Sequence, residues 1–266
     1  MSWVQVGDSD IHYVEKGTGQ PVVFLHGFGS CAEAWFQQFD AFGDRFRVIA
    51  YDSVNHGHST NSPRDGQEPD RADELEGFLA ALGIDRPVLA GNSMGALTIL
   101  RWASRHPDDA TALIPSGMGV TPPSEDGTPA ATRRALFDPI DQETVFIPAG
   151  GGTAFTKRFE TESKLMFDRY VRARSTATRI EAARHPRTFT MHDPSREELG
   201  ERVVKIASPM QIVVGSEDWL APAARHLHSL VSGSRFAEIP GAPHNVYYEA
   251  ATAYNEVVSA FLSDVF

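Results

Sequence analysis

Hydrophobic and polar positions along the chain form short runs that predict strands and helices in alternation. Residues 4–6 and 11–14 alternate as strands do, and the polar stretch between them predicts a hairpin. Residues 21–25 form a continuous apolar run, which is typical of a strand buried on both faces. Further strands are predicted near 46–51, 88–90, 112–114, 210–214 and 236–239, and helices near 34–42, 71–82, 96–106, 222–231 and 250–262. The pattern predicts the α/β class, with a mostly parallel, doubly wound sheet.

The alternation is interrupted between about residues 122 and 208. Prolines and glycines punctuate the first half of this stretch, whereas residues 155–183 have the composition of one or two helices. A chain of 266 residues suits one large domain with an insertion. We therefore expect residues 1–121 and 208–266 to form a core domain and residues 122–207 to form a helical insertion.

Composition and charge narrow the class of protein. The chain is 41% apolar and 22% charged, and it has no long uncharged apolar stretch. Its formal net charge of -11 argues against nucleic acid or anionic membrane as a partner. Because the start of the chain does not resemble a signal peptide, a cytoplasmic location is expected. The single Cys31 excludes an internal disulfide, and it is interpreted either as a small buried packing residue or as a thiol near the site.

A glycine-flanked serine joins a predicted strand directly to a predicted helix. The motif reads Gly91-Asn92-Ser93-Met94-Gly95. So sharp a turn lifts the serine hydroxyl clear of the sheet, and only glycine at the flanking positions lets the backbones approach closely enough. The helix that follows directs free backbone N–H groups towards an oxyanion formed beside Ser93. The alternative is a serine that merely caps the helix.

Other polar residues follow other predicted strands. They are His26-Gly27-Phe28-Gly29, the stretch 52–59, Asp218 with Pro222 four residues later, and His244 after the last strand. Because the carboxyl ends of parallel strands meet at one edge of a sheet, we expect these residues to share one cleft.

Taken together, these motifs resemble the α/β-hydrolase superfamily over the whole chain except the insertion. The order of serine, aspartate and histidine along the chain is the order of that superfamily. The resemblance implies that Ser93 is the nucleophile, His244 its general base, and Asp218 the residue that orients His244. It also implies an oxyanion hole made by the backbone N–H groups of Phe28 and Met94. His26 would brace the loop that carries Phe28.

Asp218 has competitors for its role. Glu217 is adjacent, but the spacing Gly-x-x-Asp-x-x-x-Pro, in which Pro222 opens a helix, selects Asp218. Residues 115–117 after the preceding strand offer no carboxylate. A surface aspartate that caps the next helix is the alternative.

The stretch 52–59 resembles the superfamily's D-x-x-G-x-G-x-S turn, with Asn55 in place of a glycine. Asparagine tolerates left-handed backbone conformations, so the segment is interpreted as structural. His56 and His58 could line the cleft. No metal site is expected, because the sequence groups no third ligand with them, and no cofactor is expected either.

A serine nucleophile favours acyl transfer over the alkyl-enzyme chemistry of superfamily members that use aspartate. We expect hydrolysis of a small hydrophobic carboxylic ester or lactone through an acyl-enzyme. An alternative is a carbon–carbon bond hydrolase of ring-fission products, whose nucleophile motif shares Asn92. Residues 28–30 and Asn245 depart from that group, which usually has a glycine-rich continuation and a tryptophan there. A third alternative is a non-catalytic receptor of the same fold.

The insertion resembles the helical cap of many superfamily members. The expected substrate contacts are Asn92, Phe137, Phe146, Phe167 and Trp219. The partner is expected to be a small-molecule substrate, and the oligomeric state, a homo-oligomer included, is left open.

Overall fold

An eight-stranded sheet forms the centre of the computed structural model, which describes residues 2–60, 70–120, 154–177 and 195–266. The strands are β1 (Ser2–Val6), β2 (Ser9–Lys16), β3 (Pro21–Leu25), β4 (Arg47–Tyr51), β5 (Val88–Asn92), β6 (Ala112–Ser116), β7 (Gln211–Gly215) and β8 (Arg235–Ile239). Their spatial order is β1-β2-β4-β3-β5-β6-β7-β8. Strands β1 and β2 pair antiparallel, as do β2 and β4, and every other pair is parallel. The predicted mostly parallel sheet is confirmed.

Helices follow most of the strands. They are α1 (Phe36–Phe42), preceded by a 3-10 turn at Ala32–Trp35, α2 (Arg71–Ala81), α3 (Met94–Arg105), α4 (Lys157–Glu162), α5 (Lys164–Ala177), α6 (Ser195–Val203), α7 (Ala221–Leu230), α8 (Val246–Glu249) and α9 (Ala251–Val265). The predicted helices are present within a few residues of their expected bounds. The stretch 155–183 gives α4 and α5 within the described residues.

Two apolar clusters lie on opposite faces of the sheet. One face packs against α2, α3, α6 and α7, through side chains such as Leu75, Leu100 and Leu227. The other face packs against α1, α8 and α9, through side chains such as Trp35 and Phe261. A sheet covered on both faces is what the continuous apolar runs of its central strands require. The doubly wound arrangement is therefore confirmed.

The chain between β6 and β7 contributes to both clusters. The cluster of α8 and α9 also includes Phe155, which precedes α4, Phe159 of α4 and Tyr170 of α5. Leu199 and Val203 of α6 instead join the cluster of α2 and α3 on the other face. The predicted division into a core and an insertion at 122–207 stays a prediction, since much of that range lies outside the described residues.

Asp70 stabilises the start of α2. Its carboxylate accepts hydrogen bonds from the backbone N–H groups of Ala72 and Asp73 and pairs with Arg101, while Arg105 lies 3.4 Å away. Burial by itself would raise the pKa of Asp70. The Arg101 guanidinium, the Ala72 N–H and Arg105 outweigh that effect, and they hold the pKa below its ordinary value.

We expect Asp70→Asn to lower the free energy of unfolding by about 1 kcal/mol at pH 7, because asparagine keeps the helix cap but not the charge. A depressed pKa stabilises the folded state above the unfolded pKa of about 4, and the benefit is lost as the pH falls through the folded value. The difference between wild type and variant, measured by urea denaturation, should therefore shrink between pH 7 and pH 3. The exposed control Asp85→Asn should change stability little at either pH. If this difference in the free energy of unfolding did not change with pH, the stabilising role given to the Asp70 charge would be contradicted.

Candidate active site

Ser93 occupies a strained turn between β5 and α3. Its φ of 53° and ψ of -113° lie in the left-handed half of backbone space, which few residues other than glycine adopt. Its N–H donates to Ser116 O at 2.9 Å, and its C=O accepts from Leu97 N at 2.9 Å. A side chain on Gly91 would clash with the backbone of Gly95, so the predicted need for glycine is met at that position. The turn presents the Ser93 side chain at the carboxyl end of the sheet.

Asp218 and His244 are in direct contact. His244 Nδ1 lies 2.9 Å from Asp218 Oδ2 and 3.0 Å from Oδ1. Both residues are buried, and Asp218 Oδ1 also accepts from the backbone N–H of Leu220 at 2.9 Å. Because a carboxylate only accepts hydrogen bonds, the imidazole carries its proton on Nδ1. Nε2 is left with a lone pair that can accept a proton.

The loops that carry these groups converge around Gly117, at the end of β6. A methyl group placed on Gly117 would lie 3.0 Å from Asn92 Oδ1, 3.1 Å from His244 O and 3.2 Å from Asp218 Oδ2. A methyl group placed on Gly27 would lie 3.4 Å from Ser93 Cβ. The loops after strands β3, β5, β6, β7 and β8 therefore lie close together, and the cleft that they are expected to share stays a prediction.

His26 fixes the peptide between Gly27 and Phe28. His26 Nε2 accepts a hydrogen bond from Ser53 N at 3.1 Å, so the ring proton is on Nδ1, which donates to Gly27 O at 2.8 Å. Burial lowers the pKa of His26, which keeps the ring neutral. Gly27 O also accepts from Ser30 N at 3.1 Å. Because the peptide is planar, holding this C=O also sets the direction of the Phe28 N–H.

Phe28 and Met94 directly follow Gly27 and Ser93, which lie close to each other. Phe28 is half-buried, and its ring meets the ring of His56 edge-on, with the centroids 5.6 Å apart. Met94 is the first residue of α3, where backbone N–H groups have no acceptor within the helix. The oxyanion hole formed by these two N–H groups stays a prediction.

The residues predicted to contact substrate have different surroundings. Asn92 is fully buried, and its Nδ2 donates to Asn245 Oδ1 at 3.3 Å. The Trp219 ring lies 4.1 Å from the His244 ring between centroids, and the side chain is 45% exposed, so it forms one wall beside the imidazole. Phe167 is half-buried against Phe155. Phe137 and Phe146 lie outside the described residues.

A segment directly after His244 binds the helices between β6 and β7, which the sequence did not predict. Asn245 N donates to Ala154 O at 3.0 Å, and Asn245 Nδ2 donates to Tyr170 Oη at 3.4 Å. Tyr248 Oη donates to Met166 O at 2.9 Å. Asn245 thus contacts both Asn92, beside the nucleophile turn, and Tyr170 of α5. Asn245 was identifiable only as a departure from the carbon–carbon hydrolase pattern.

Two further groups of contacts strengthen this junction. Glu249 accepts hydrogen bonds from the backbone N–H of Thr156 at 2.9 Å and from its hydroxyl at 2.5 Å. Burial raises the pKa of Glu249. The ring of Tyr248 is surrounded by aromatic rings that stand edge-on to it, namely Phe36, Phe155, Phe159 and Tyr170. The helices α4 and α5 are therefore attached to the segment 245–249.

The turn after β4 has the backbone conformation that its sequence predicts. Asn55 has a φ of 68°, the left-handed conformation expected where the superfamily pattern has glycine. Asp52 accepts hydrogen bonds from Ala32 N at 2.7 Å and His58 N at 3.0 Å, which hold the turn closed. Cys31 is buried, and burial raises the pKa of its thiol well above the ordinary value. It is a neutral packing residue, the first of the two interpretations.

Comparison with known proteins agrees with this fold. Residues 20–251 match the family model described as alpha/beta hydrolase fold. The chain is 27% identical over 280 residues to a bifunctional esterase/perhydrolase of Acinetobacter calcoaceticus, a match that covers 98% of this chain and 99% of the relative. It is 25% identical over 271 residues to a 2-hydroxy-6-oxononadienedioate/2-hydroxy-6-oxononatrienedioate hydrolase of Paraburkholderia phymatum, covering 95% of this chain and 90% of that protein.

The fold is also similar to solved structures. The enol-lactonase of Burkholderia xenovorans superposes with a TM-score of 0.79 at 22% identity, over 98% of this chain and 100% of that one. Within the described residues, no helix combines the length and the apolar character needed to cross a membrane.

Proposed function

The chain belongs to the α/β-hydrolase fold family and is a hydrolase, and from this we propose that it cleaves a small hydrophobic carboxylic ester or lactone with Ser93, His244 and Asp218 as its catalytic triad. The observation that carries the proposal is the contact between His244 Nδ1 and Asp218, 2.9 Å long, at the sheet edge where the strained turn presents Ser93.

The first half of the reaction acylates Ser93. The Ser93 hydroxyl attacks the carbonyl carbon of the ester while its proton passes to His244 Nε2. The Asp218 carboxylate stabilises the imidazolium that forms. Collapse of the tetrahedral intermediate breaks the bond to the leaving alcohol, which takes the proton from His244 as it departs.

In the second half, water enters the site and His244 accepts its proton as it attacks the acyl-enzyme. Collapse of the second tetrahedral intermediate returns the proton to Ser93 and releases the carboxylic acid. In both halves the negative charge on the carbonyl oxygen is stabilised by the backbone N–H groups of Phe28 and Met94, each worth roughly 3 kcal/mol in comparable enzymes. The hydrogen bonds of His26 and Ser30 to Gly27 O support the Phe28 donor, because they set its direction before any charge develops.

The apolar surroundings support a hydrophobic acyl or alkyl group. Trp219 stands beside His244, and the aromatic residues of α4 and α5 lie across Asn245 from the nucleophile turn. We propose that residues 122–207 cover the cleft as a cap. The likeness to an esterase/perhydrolase supports ester chemistry.

A carbon–carbon bond hydrolase is the second candidate. It is favoured by the likeness to the 2-hydroxy-6-oxononadienedioate hydrolase and by Asn92 before the nucleophile. Asn245 in place of tryptophan counts against it. The two candidates share the triad and differ in the bond that is cleaved.

A substrate panel and an active-site label test the proposal together. We expect release of nitrophenol from short and medium p-nitrophenyl esters, and a fluorophosphonate probe should add one adduct that peptide mass spectrometry locates on Ser93. Turnover of a ring-fission dienoate in preference to every ester and lactone would favour the second candidate. No turnover and no adduct, with a small ligand still raising the melting temperature, would favour the receptor and overturn the hydrolase.

A further inference from the structure

Three side chains able to bind a metal ion meet where β2 lies beside the turn after β4. They are His12 on β2, Asp52 at the end of β4 and His58 six residues later, and one ligand atom of each lies within 4.8 Å of the others. His12 Nδ1 lies 2.8 Å from Asp52 Oδ2, and His58 Nδ1 lies 3.6 Å from the same oxygen. None of the three belongs to the proposed triad, and the structure brings them together from separate elements.

The fixed part of this group is already arranged as a site. Asp52 is held by the backbone N–H groups of Ala32 and His58, so its carboxylate cannot rotate freely. His12 is buried, and its Nε2 has no hydrogen-bond partner among the described residues. The ligand atom of His12 in this group is the other ring nitrogen, Nδ1, which lies beside Asp52. His58 is the movable member, because its side chain is 50% exposed.

The surroundings of the group favour a cation. It opens on a cavity of about 470 Å³ that is also lined by three further carboxylates and one guanidinium. These lining residues are Glu15, Glu33, Asp40 and Arg169. Glu15 is paired with Arg47, and Asp40 lies 3.6 Å from Lys16. Asp52 and Glu33 are then the two carboxylates that face Arg169, and a small excess of negative charge remains. The cavity walls offer room for water or a small anion to complete a coordination shell.

We propose that His12, Asp52 and His58 bind one divalent transition-metal ion of the Zn²⁺ type. Two imidazoles and one carboxylate are the nitrogen and oxygen donors such ions prefer. In a tetrahedral zinc site with bonds of about 2.0–2.1 Å, ligand atoms lie roughly 3.3 Å apart, and the observed 2.8 and 3.6 Å bracket that separation. Rotation of the exposed His58 closes the remaining gap. When Nδ1 of His12 binds the ion, the single proton of the neutral ring is carried by Nε2, so the imidazole stays neutral, and the cavity leaves a fourth position for water.

The ion would lie outside the triad, so its role is to hold β2 to the turn after β4. Asp52 and Ala32 join that turn to the chain that follows Phe28. The proposal does not depend on the proposed function.

Titration of the full-length, chelator-treated protein with ZnCl₂ and CoCl₂ tests this site. We expect one equivalent of Zn²⁺ to bind by calorimetry and to raise the melting temperature, and Co²⁺ to give visible absorption of a four-coordinate site. His58→Ala should weaken Zn²⁺ binding at least about tenfold. Because the His58 side chain is half exposed, this variant is expected to fold, which circular dichroism verifies.

The matched control is His228→Ala, which removes an exposed histidine on α7. It should bind Zn²⁺ as the wild type does. The proposal is overturned if wild type binds no stoichiometric Zn²⁺, or if His58→Ala binds it as tightly as wild type. Ser93→Ala should lose ester hydrolysis and still bind Zn²⁺ as the wild type does. Failure of one proposal is therefore distinguishable from failure of the other.

Discussion

Replacing Ser93 by Ala is expected to lower kcat/KM for p-nitrophenyl esters by on the order of 10⁵- to 10⁶-fold. Alanine has no hydroxyl to form the acyl-enzyme, and water attacking directly gains only from the oxyanion donors and from binding. The substitution leaves the φ of 53° no more strained than serine does, so the fold should persist. Steady-state release of nitrophenol, with circular dichroism to verify folding, measures the effect.

Ser104→Ala is the matched control for that experiment. It removes the same hydroxyl from the other end of α3, where Ser104 Oγ donates to Arg101 O at 2.7 Å. This variant should hydrolyse esters at close to the wild-type rate. A Ser93→Ala enzyme that keeps more than a tenth of wild-type activity would show that another residue is the nucleophile.

Asp218→Asn is expected to lower kcat by about 10⁴-fold with a much smaller change in KM. The asparagine amide would donate to His244 Nδ1, which forces the ring proton onto Nε2. The imidazole would then have no lone pair facing Ser93 and could not accept its proton. Activity measured between pH 6 and pH 9 should stay low throughout, because no pH in that range restores the working tautomer.

Glu217 provides a closely matched control. It is the adjacent carboxylate, it is exposed, and Glu217→Gln makes the same chemical change one residue away. We expect Glu217→Gln to retain nearly full activity. Equal losses in the two variants would mean that the negative potential of the loop, and not the hydrogen bond to His244, supports catalysis.

The strands and most helices could be predicted because their signals are local, whereas the contact between Asp218 and His244 was predicted from the resemblance to the superfamily. The apolar run at Pro21–Leu25 and the glycines around Ser93 each reflect a constraint within a few residues. The segment from Gly215 through Asp218 to Pro222 likewise forms a turn with a fixed geometry. The order of these pieces along the chain then determines which edge of a parallel sheet they share.

Other contacts between distant polar side chains could not be predicted. Asn245 joins Asn92 to Tyr170 across separations of 153 and 75 residues, and nothing in the composition of either segment indicates the pairing. The group of His12, Asp52 and His58 was missed for the same reason. The sequence places His58 beside Asp52 but gives no sign that His12, on another strand, completes a set of three ligands.

The hydrogen bonds of Asn245, Tyr248 and Glu249 to the helices before β7 have a consequence for building chimeric enzymes. A graft that moves residues 154–177 into a relative would leave Thr156 and Tyr170 without acceptors or donors unless the recipient carries the same three side chains after its catalytic histidine. Transplanting both segments together preserves the junction. Folded chimeras should therefore be obtained when both segments are exchanged together and not when only one is.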